Sequence, residues 1–318
     1  MITRRQYLQL TLAAGTSLAL APKLLWAETV PQALITRAIP STGERLPVIG
    51  LGSAATFAQA AGSADVTRLR EVLAALIEHG GMAFDTAPSY GASEQVAGDL
   101  ARELGITDRI FWATKVNVAG RGGGRADPDA ARAQLEASFR RLDTEVIDLI
   151  QVHNLGDVPT QLGILKQLKE TGRIRYIGVT TTFPNQYADL LQVMRREPLD
   201  FIGIDYAIDN RAVEENILPL AMERGIAVLV YLPFGRSRLW DRVRGQEVPA
   251  WASEFDAHSW AQFFLKFVLA HPAVTAVTPA TSQVHHMLDD LAAARGRLPD
   301  GAMQRRMLSH LESLTEAG

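Results

Sequence analysis

Four side chains of different chemistry close apolar runs in this sequence or follow one closely. Asp85 ends the run in AFDTAPSY, and Tyr90 lies in the stretch just after it. Lys115 ends FWATK, and His153, with Asn154 beside it, ends DLIQVHN. A carboxylate, a phenol, an ammonium and an imidazole are groups that hold, donate and accept protons. Each also has a plain structural use. A buried Asp–Lys pair is a common ion pair, a His at a strand end is often a hydrogen-bonded packing residue, and a loop Tyr packs amphipathically. Their spacing alone names no reaction; what sets them apart is that they fall in consecutive units of one repeating pattern.

That pattern is alternation of strand and helix. Apolar runs at Val48–Gly52, Met82–Thr86, Ile110–Lys115, Val146–His153, Ile174–Val179, Phe201–Tyr206, Ile226–Tyr231 and Val274–Thr278 read as strands. Between them, stretches near 65–79, 93–104, 128–141, 158–170, 184–196, 211–224, 258–270 and 284–294 carry helical periodicity. Ser93 is placed to cap the second helix, Asp127-Pro128 opens the third, and Gly172 and Gly225 follow the fourth and sixth. Eight such units predict parallel strands, and a closed (β/α)8 TIM barrel of a single domain over 28–318 is the economical solution; a doubly wound open sheet is the alternative. No G-x-G-x-x-G joins a strand to a helix, since Gly50-Leu51-Gly52 lacks the third glycine. In a barrel, polar residues at the C-terminal strand ends gather on one rim, which is where Asp85, Tyr90, Lys115 and His153 stand. The loops at Gly120–Gly124 and Gly235–Ala250 fall on that same rim.

Composition narrows the class further. The 318 residues are 47% hydrophobic and 21% charged, with net charge −3 and no cysteine. Near-neutral charge argues against a nucleic-acid surface, which needs clustered Lys and Arg. Without Cys there is no disulfide, thiolate nucleophile or Cys-held metal centre. Residues 1–27, MITRRQYLQLTLAAGTSLALAPKLLWA, place Arg4-Arg5 before an apolar stretch from Tyr7 to Ala21 and end on Ala27. That order is an export signal, too short for a comfortable membrane span, and Thr3–Leu8 resembles a twin-arginine signal. The expectation is export of the folded protein through the twin-arginine machinery to a periplasmic or otherwise external location. No stable membrane insertion is expected after cleavage. An uncleaved anchor, or a chance basic start before a core helix, is the alternative.

The string Asp85-Thr86-Ala87-Pro88-Ser89-Tyr90-Gly91-Ala92-Ser93-Glu94 resembles the D-x-A-x-x-Y-G-x-S-E signature of aldo-keto reductases. LPVIGLGS, GRIRYIGV, IDYAIDNR and ERGIAVLVYLPFG are similar to that family as well, in order, from about Ile35 to the mid-290s. The resemblance implies a barrel that binds a nicotinamide cofactor without a Rossmann motif and reduces a small carbonyl or sugar-like substrate. It implies Tyr90 as general acid, Lys115 and Asp85 as its tuning pair, and His153 as the group orienting the carbonyl.

For the cofactor, NADP(H) or else NAD(H), the resemblance implies contacts from Ser53, Asp85 and the aromatic Tyr231, which would stack on the nicotinamide. It places Leu232, Pro233 and Gly235 at the pyrophosphate, and Ala280, Thr281, Ser282, His286, Asp289 and Asp290 at the adenosine end. The chain departs from the family at three positions. Thr180-Thr181 stand where Ser-Asn usually holds the carboxamide, Gly203 stands where a Gln often does, and Thr278–Ala294 has no Lys or Arg for a 2′-phosphate. His285-His286 has no further ligand at metal spacing, so no metal is expected. Two other readings stay open. One is an exported nucleotide-binding sensor or regulatory barrel with little turnover, and the other a dehydrogenase with retained cofactor acting on a sugar.

Overall fold

The structure, a computed structural model, describes residues 32–59, 63–119 and 124–315. The expected leader, residues 1–27, lies outside the described residues, as does most of the 120–124 loop. Each apolar run is rich in Val, Ile and Phe and is bounded by Gly, Pro or polar turns, so it extends and pairs with its neighbour in the chain. The strands are β1 (Thr36–Ala38), β2 (Arg45–Pro47), β3 (Leu51–Gly52), β4 (Ala83–Asp85), β5 (Phe111–Val116), β6 (Ile147–Val152), β7 (Ile174–Thr181), β8 (Phe201–Asp205), β9 (Ala227–Tyr231) and β10 (Val274–Val277). β1 and β2 form an antiparallel hairpin, while β3 to β10 run parallel in chain order. The sheet ends meet. Gly50 N donates to Val277 O at 2.9 Å, Gly52 N to Pro279 O at 2.8 Å, and Val277 N to Val48 O at 2.9 Å. The molecule is therefore a (β/α)8 barrel, and an open doubly wound sheet does not describe it.

The helices are α1 (Ser63–Glu78), α2 (Ser93–Leu104), α3 (Pro128–Leu142), α4 (Val158–Glu170), α5 (Tyr187–Arg196), α6 (Ile217–Arg224), the short α7 (Arg238–Arg242), α8 (Trp260–Leu269), α9 (Val284–Ala293) and α10 (Gly301–Thr315). Several boundary expectations hold. Asp127 caps α3 by accepting from Asp129 N at 2.9 Å, with Pro128 at the first helical position. Gly225 closes α6 in the left-handed region at φ 63°. Two differ. The stretch 211–224 splits into a 3-10 turn at Ala212–Glu214 and α6, because Pro219 has no N–H to donate and fits only the first turn of a helix. Ser93 does not cap α2; its hydroxyl turns inward to Ser53 Oγ at 2.7 Å and Thr86 Oγ1 at 2.9 Å. The hairpin β1–β2, the short α7 and the helix α10 in the C-terminal tail are additions to the eight units.

Side chains alternate across each strand. One set faces the helices and forms the main core. The other fills the barrel lumen, with Phe111, Leu149, Tyr176, Phe201, Leu229 and Ala276 buried together. The rings of Phe111, Tyr176 and Phe201 lie 5.6–6.1 Å apart. Ile39 and Leu46 of the hairpin join this cluster from below. Arg37 fixes the hairpin there by donating to the carbonyls of Leu269, His271 and Val274. The barrel floor is thus packed shut, and the opposite rim is left to carry polar groups.

Candidate active site

Continuing the lumen alternation upward puts charge at the rim. On β4, Ala83 faces inward and Asp85 follows two residues later; on β5, Phe111 and Ala113 lead to Lys115; on β6, Leu149 leads to Gln151 and then to His153. Lys115 and Asp85 form a buried ion pair, with Nζ 2.8 and 3.0 Å from the two carboxylate oxygens. A third donation from Nζ goes to the Thr86 carbonyl at 2.8 Å. The ammonium lies 5.0 Å from the centre of the Tyr90 ring. Tyr90 meets His153 edge-on at 5.8 Å. The sequence-predicted quartet thus converges on one wall of a cavity of about 540 Å³ at the C-terminal ends of the strands.

Electrostatics follow from burial and pairing. Desolvation pushes the Asp85 carboxyl up, and Lys115 pulls against it. Burial alone would lower Lys115, yet Asp85 and Tyr90 outweigh it and the ammonium is held above its ordinary value. A lysine fixed as a cation beside a phenol favours the phenolate form of that phenol.

Tyr231 closes β9 and points into the barrel. An atom added as Cβ at Gly203 would fall 2.5 Å from the Tyr231 ring and 2.6 Å from its hydroxyl. The ring therefore fills the space a side chain at 203 would take. Its hydroxyl reaches Asp85 Oδ1 at 3.1 Å and Gln151 Oε1 at 2.8 Å.

A second cavity of about 410 Å³ shares the Phe234, Trp240 and Ala280 walls with the first. Trp260, His286, Asp289 and Asp290 also line it, and among the described residues no Lys or Arg does. Asp289 is engaged, accepting from Ser259 Oγ and Gln262 Nε2, each at 2.6 Å. Burial, with the Asp289 charge beside it, pushes the Asp290 carboxyl well above the ordinary carboxylate range. A larger cavity of about 600 Å³, beside Leu308 and Leu311 of α10, contains none of the predicted residues.

Comparison with known proteins decides the family. The model of the aldo/keto reductase family matches residues 48–306. This chain belongs to the aldo/keto reductase family. Probable aldo-keto reductase 1 of Glycine max is 33% identical over 184 residues, and the aldo-keto reductase YhdN of Bacillus subtilis (strain 168) is 33% identical over 202. These matches take in 55% and 61% of this chain and span 52% and 60% of the relatives' own lengths. Among solved structures, the holo form of an aldo-keto reductase from Bacillus halodurans superposes with a TM-score of 0.69 at 25% identity, covering 87% of this chain and 96% of that one. A Klebsiella pneumoniae aldo/keto reductase in complex with NADP and acetate gives 0.68 at 25% identity, covering 90% and 95%.

In this aldo/keto reductase the remaining predicted cofactor residues divide. Thr180, Leu232, Pro233 and Ala280 line the first cavity; Ala280, Thr281 and His286 line the second. Gly235 sits just past the first wall at φ 59°. Ser53 lines the first cavity but commits its hydroxyl to the Asp85 carbonyl at 2.8 Å. Thr181 turns away, donating to Gln186 Oε1 at 2.5 Å. Ser282 is half-buried outside both linings. Of the residues at the carboxamide positions, Thr180 is thus left as the hydroxyl facing the cavity, and it already accepts from Asn154 N at 3.3 Å.

Sequence reasoning missed two side chains and a backbone turn. Gln151 stands two residues before His153, so period-two alternation was the signal that placed it inside. Trp240, on the short α7, walls both cavities, and nothing in a long polar loop announced it. Asn154, Leu155 and Asp157 hold left-handed φ of 53°, 53° and 37°, a run that turns the chain sharply as it leaves β6 beyond His153. Non-glycine residues in that region cost about 1–3 kcal/mol each and persist where surrounding contacts impose them. Here Gln186 Nε2 donates to Asn154 O at 3.1 Å.

Proposed function

We propose that the chain reduces an aldehyde or ketone with a nicotinamide dinucleotide, NADP(H) in the first instance, using Tyr90 as proton donor. One observation carries this reading: a buried lysine, fixed as a cation by Asp85, lies against a half-buried tyrosine that opens on the rim cavity with His153 at its edge. The paired cavities suit an elongated two-ended molecule, with Asp85 and Tyr231 at one end, Trp240 at the junction, and Trp260 and Asp290 at the other end. NADP in the Klebsiella neighbour supports the choice of dinucleotide. A 2′-phosphate in the second cavity would be met by Thr281, His286 and the first amides of α9, without a guanidinium fork.

When bound, the reduced nicotinamide supplies a hydride to the carbonyl carbon. The carbonyl oxygen then gains negative charge, and groups aimed at it lower the barrier. Tyr90 donates its proton there. Lys115 stabilises the phenolate left behind, since each unit by which it lowers the phenol's pKa is worth about 1.4 kcal/mol. Asp85 keeps the ammonium charged and aimed. His153 donates a second hydrogen bond to the oxygen and fixes its approach. The residues of 1–27 would export the folded, loaded protein.

The test is oxidation of NADPH by a reactive aromatic aldehyde, with Tyr90→Phe alongside. The variant should fold and quench tryptophan fluorescence with NADPH as wild type does, and lose about 10²–10⁴-fold in turnover, the usual scale of a general acid. A variant with wild-type kcat removes Tyr90 from the role. The missing carboxamide contacts at Thr181 and Gly203 favour one second reading, a barrel that binds dinucleotide and turns over little. Tight NADPH binding with no carbonyl reduced would select it.

A further inference from the structure

The Tyr231 hydroxyl carries one proton and faces two acceptors, while Gln151 Nε2 is buried without a partner. The two faults cancel. Amide orientation is fixed by its hydrogen bonds, and turning the Gln151 amide over sets Nε2 against the phenol oxygen. The phenol proton is then left for Asp85 alone. Gln151, Tyr231, Asp85 and Lys115 become one chain of donors and acceptors that reaches the Tyr90 ring. We propose that Tyr231 is a positioning residue of this site. Its hydroxyl holds Asp85 as an oriented carboxylate, and so sets how much of the Lys115 charge is felt at Tyr90.

Gly203 is what admits it, because any side chain there would occupy the ring's place. The loss of one side chain on β8 and the inward hydroxyl on β9 are therefore a single structural event. Burial keeps Tyr231 itself a neutral donor, pushing its phenol well above its usual value, and its hydrogen bond favours the Asp85 carboxylate. The titratable groups meeting at this point are Asp85 on β4, Lys115 on β5, His153 after β6, Tyr231 on β9 and Tyr90 from the loop after β4. Without the Tyr231 proton, Asp85 draws harder on the Lys115 protons, and the phenolate form of Tyr90 loses support.

The inference rests on the carbonyl-reduction reading for its catalytic meaning, so its test has a readout independent of turnover. In the unliganded full chain, carbon-13-labelled tyrosine is titrated by NMR in wild type, Tyr231→Phe and Gly203→Ala. Phe keeps the ring and removes only the hydroxyl; Ala keeps the hydroxyl and displaces the ring. Both variants should move the Tyr90 titration to higher pH. Tyr231→Phe should also lower kcat by about tenfold, the scale of one hydrogen bond to a charged group, and shift the pH–rate profile the same way. Its NADPH affinity, read from tryptophan fluorescence, should stay unchanged. Tyr231→Phe with an unmoved Tyr90 titration overturns the proposal, whatever Gly203→Ala does, and leaves Tyr231 as a ring alone. A wild-type chain that reduces no carbonyl sinks the functional reading instead, while the titration still decides this one.

Discussion

At the scale of single residues, the buried Lys115–Asp85 pair is held by its partners rather than by water, and its removal is asymmetric. Lys115→Met leaves Asp85 buried and unpaired, which should destabilise the fold by about 3–5 kcal/mol as well as abolish turnover. Adding Asp85→Asn removes the stranded charge, so the double variant should recover most of the stability and none of the activity. Denaturant midpoints check this; a double variant as unstable as Lys115→Met means that packing, not charge, was lost. Asp290 offers the complementary case. Its folded value lies well above the unfolded one of about 3.9, so between the two the native chain binds a proton that the unfolded chain releases. Its contribution is complete below that window and is lost as pH rises through it. Asp290→Asn cannot ionise. Its melting temperature relative to wild type should therefore climb as pH is raised from about 4, and a constant difference would show that Asp290 does not titrate there.

At the scale of elements, close packing between neighbours is most exposed at α2 and α3. A Cβ at Gly98 would lie 1.9 Å from the Arg141 carbonyl oxygen, a backbone atom that cannot swing aside. Gly98→Ala should accordingly destabilise by about 1–3 kcal/mol or more, although alanine favours helices, and thermal unfolding that instead rises would refute the contact. Periodicity made the eight strand–helix units readable, since each amphipathic helix must cover a strand that is apolar on both faces. It also gave the order of Asp85, Lys115 and His153 on consecutive strands. The hairpin β1–β2 escaped because three-residue strands carry no period. The placement of Tyr231 escaped for a different reason: its identity is written at 231, but its direction is decided at 203, on another strand. Likewise Thr181 looked equivalent to Thr180 until the pleat sent one hydroxyl to Gln186 and the other to the cavity. A contact between side chains on different strands is a tertiary fact, and a one-dimensional pattern holds no record of it.

At the scale of the whole molecule, the twin-arginine reading of residues 1–27 makes its own prediction. Arg4→Lys with Arg5→Lys should leave the protein full-length and inside the cell, folded and able to bind NADPH, where on this reading wild type would be shortened and exported; unchanged export would mean that the pair is not read. The shut floor has a consequence of another kind. With Phe111, Tyr176 and Phe201 packed ring against ring beneath the charged layer and the hairpin fastened below them, the far end of the lumen is filled by buried apolar side chains. On the proposed reading, Tyr90 would regain its proton through the same mouth that admits the substrate. On that reading resetting and unloading would share one doorway, and the order of events in each cycle would be set by traffic.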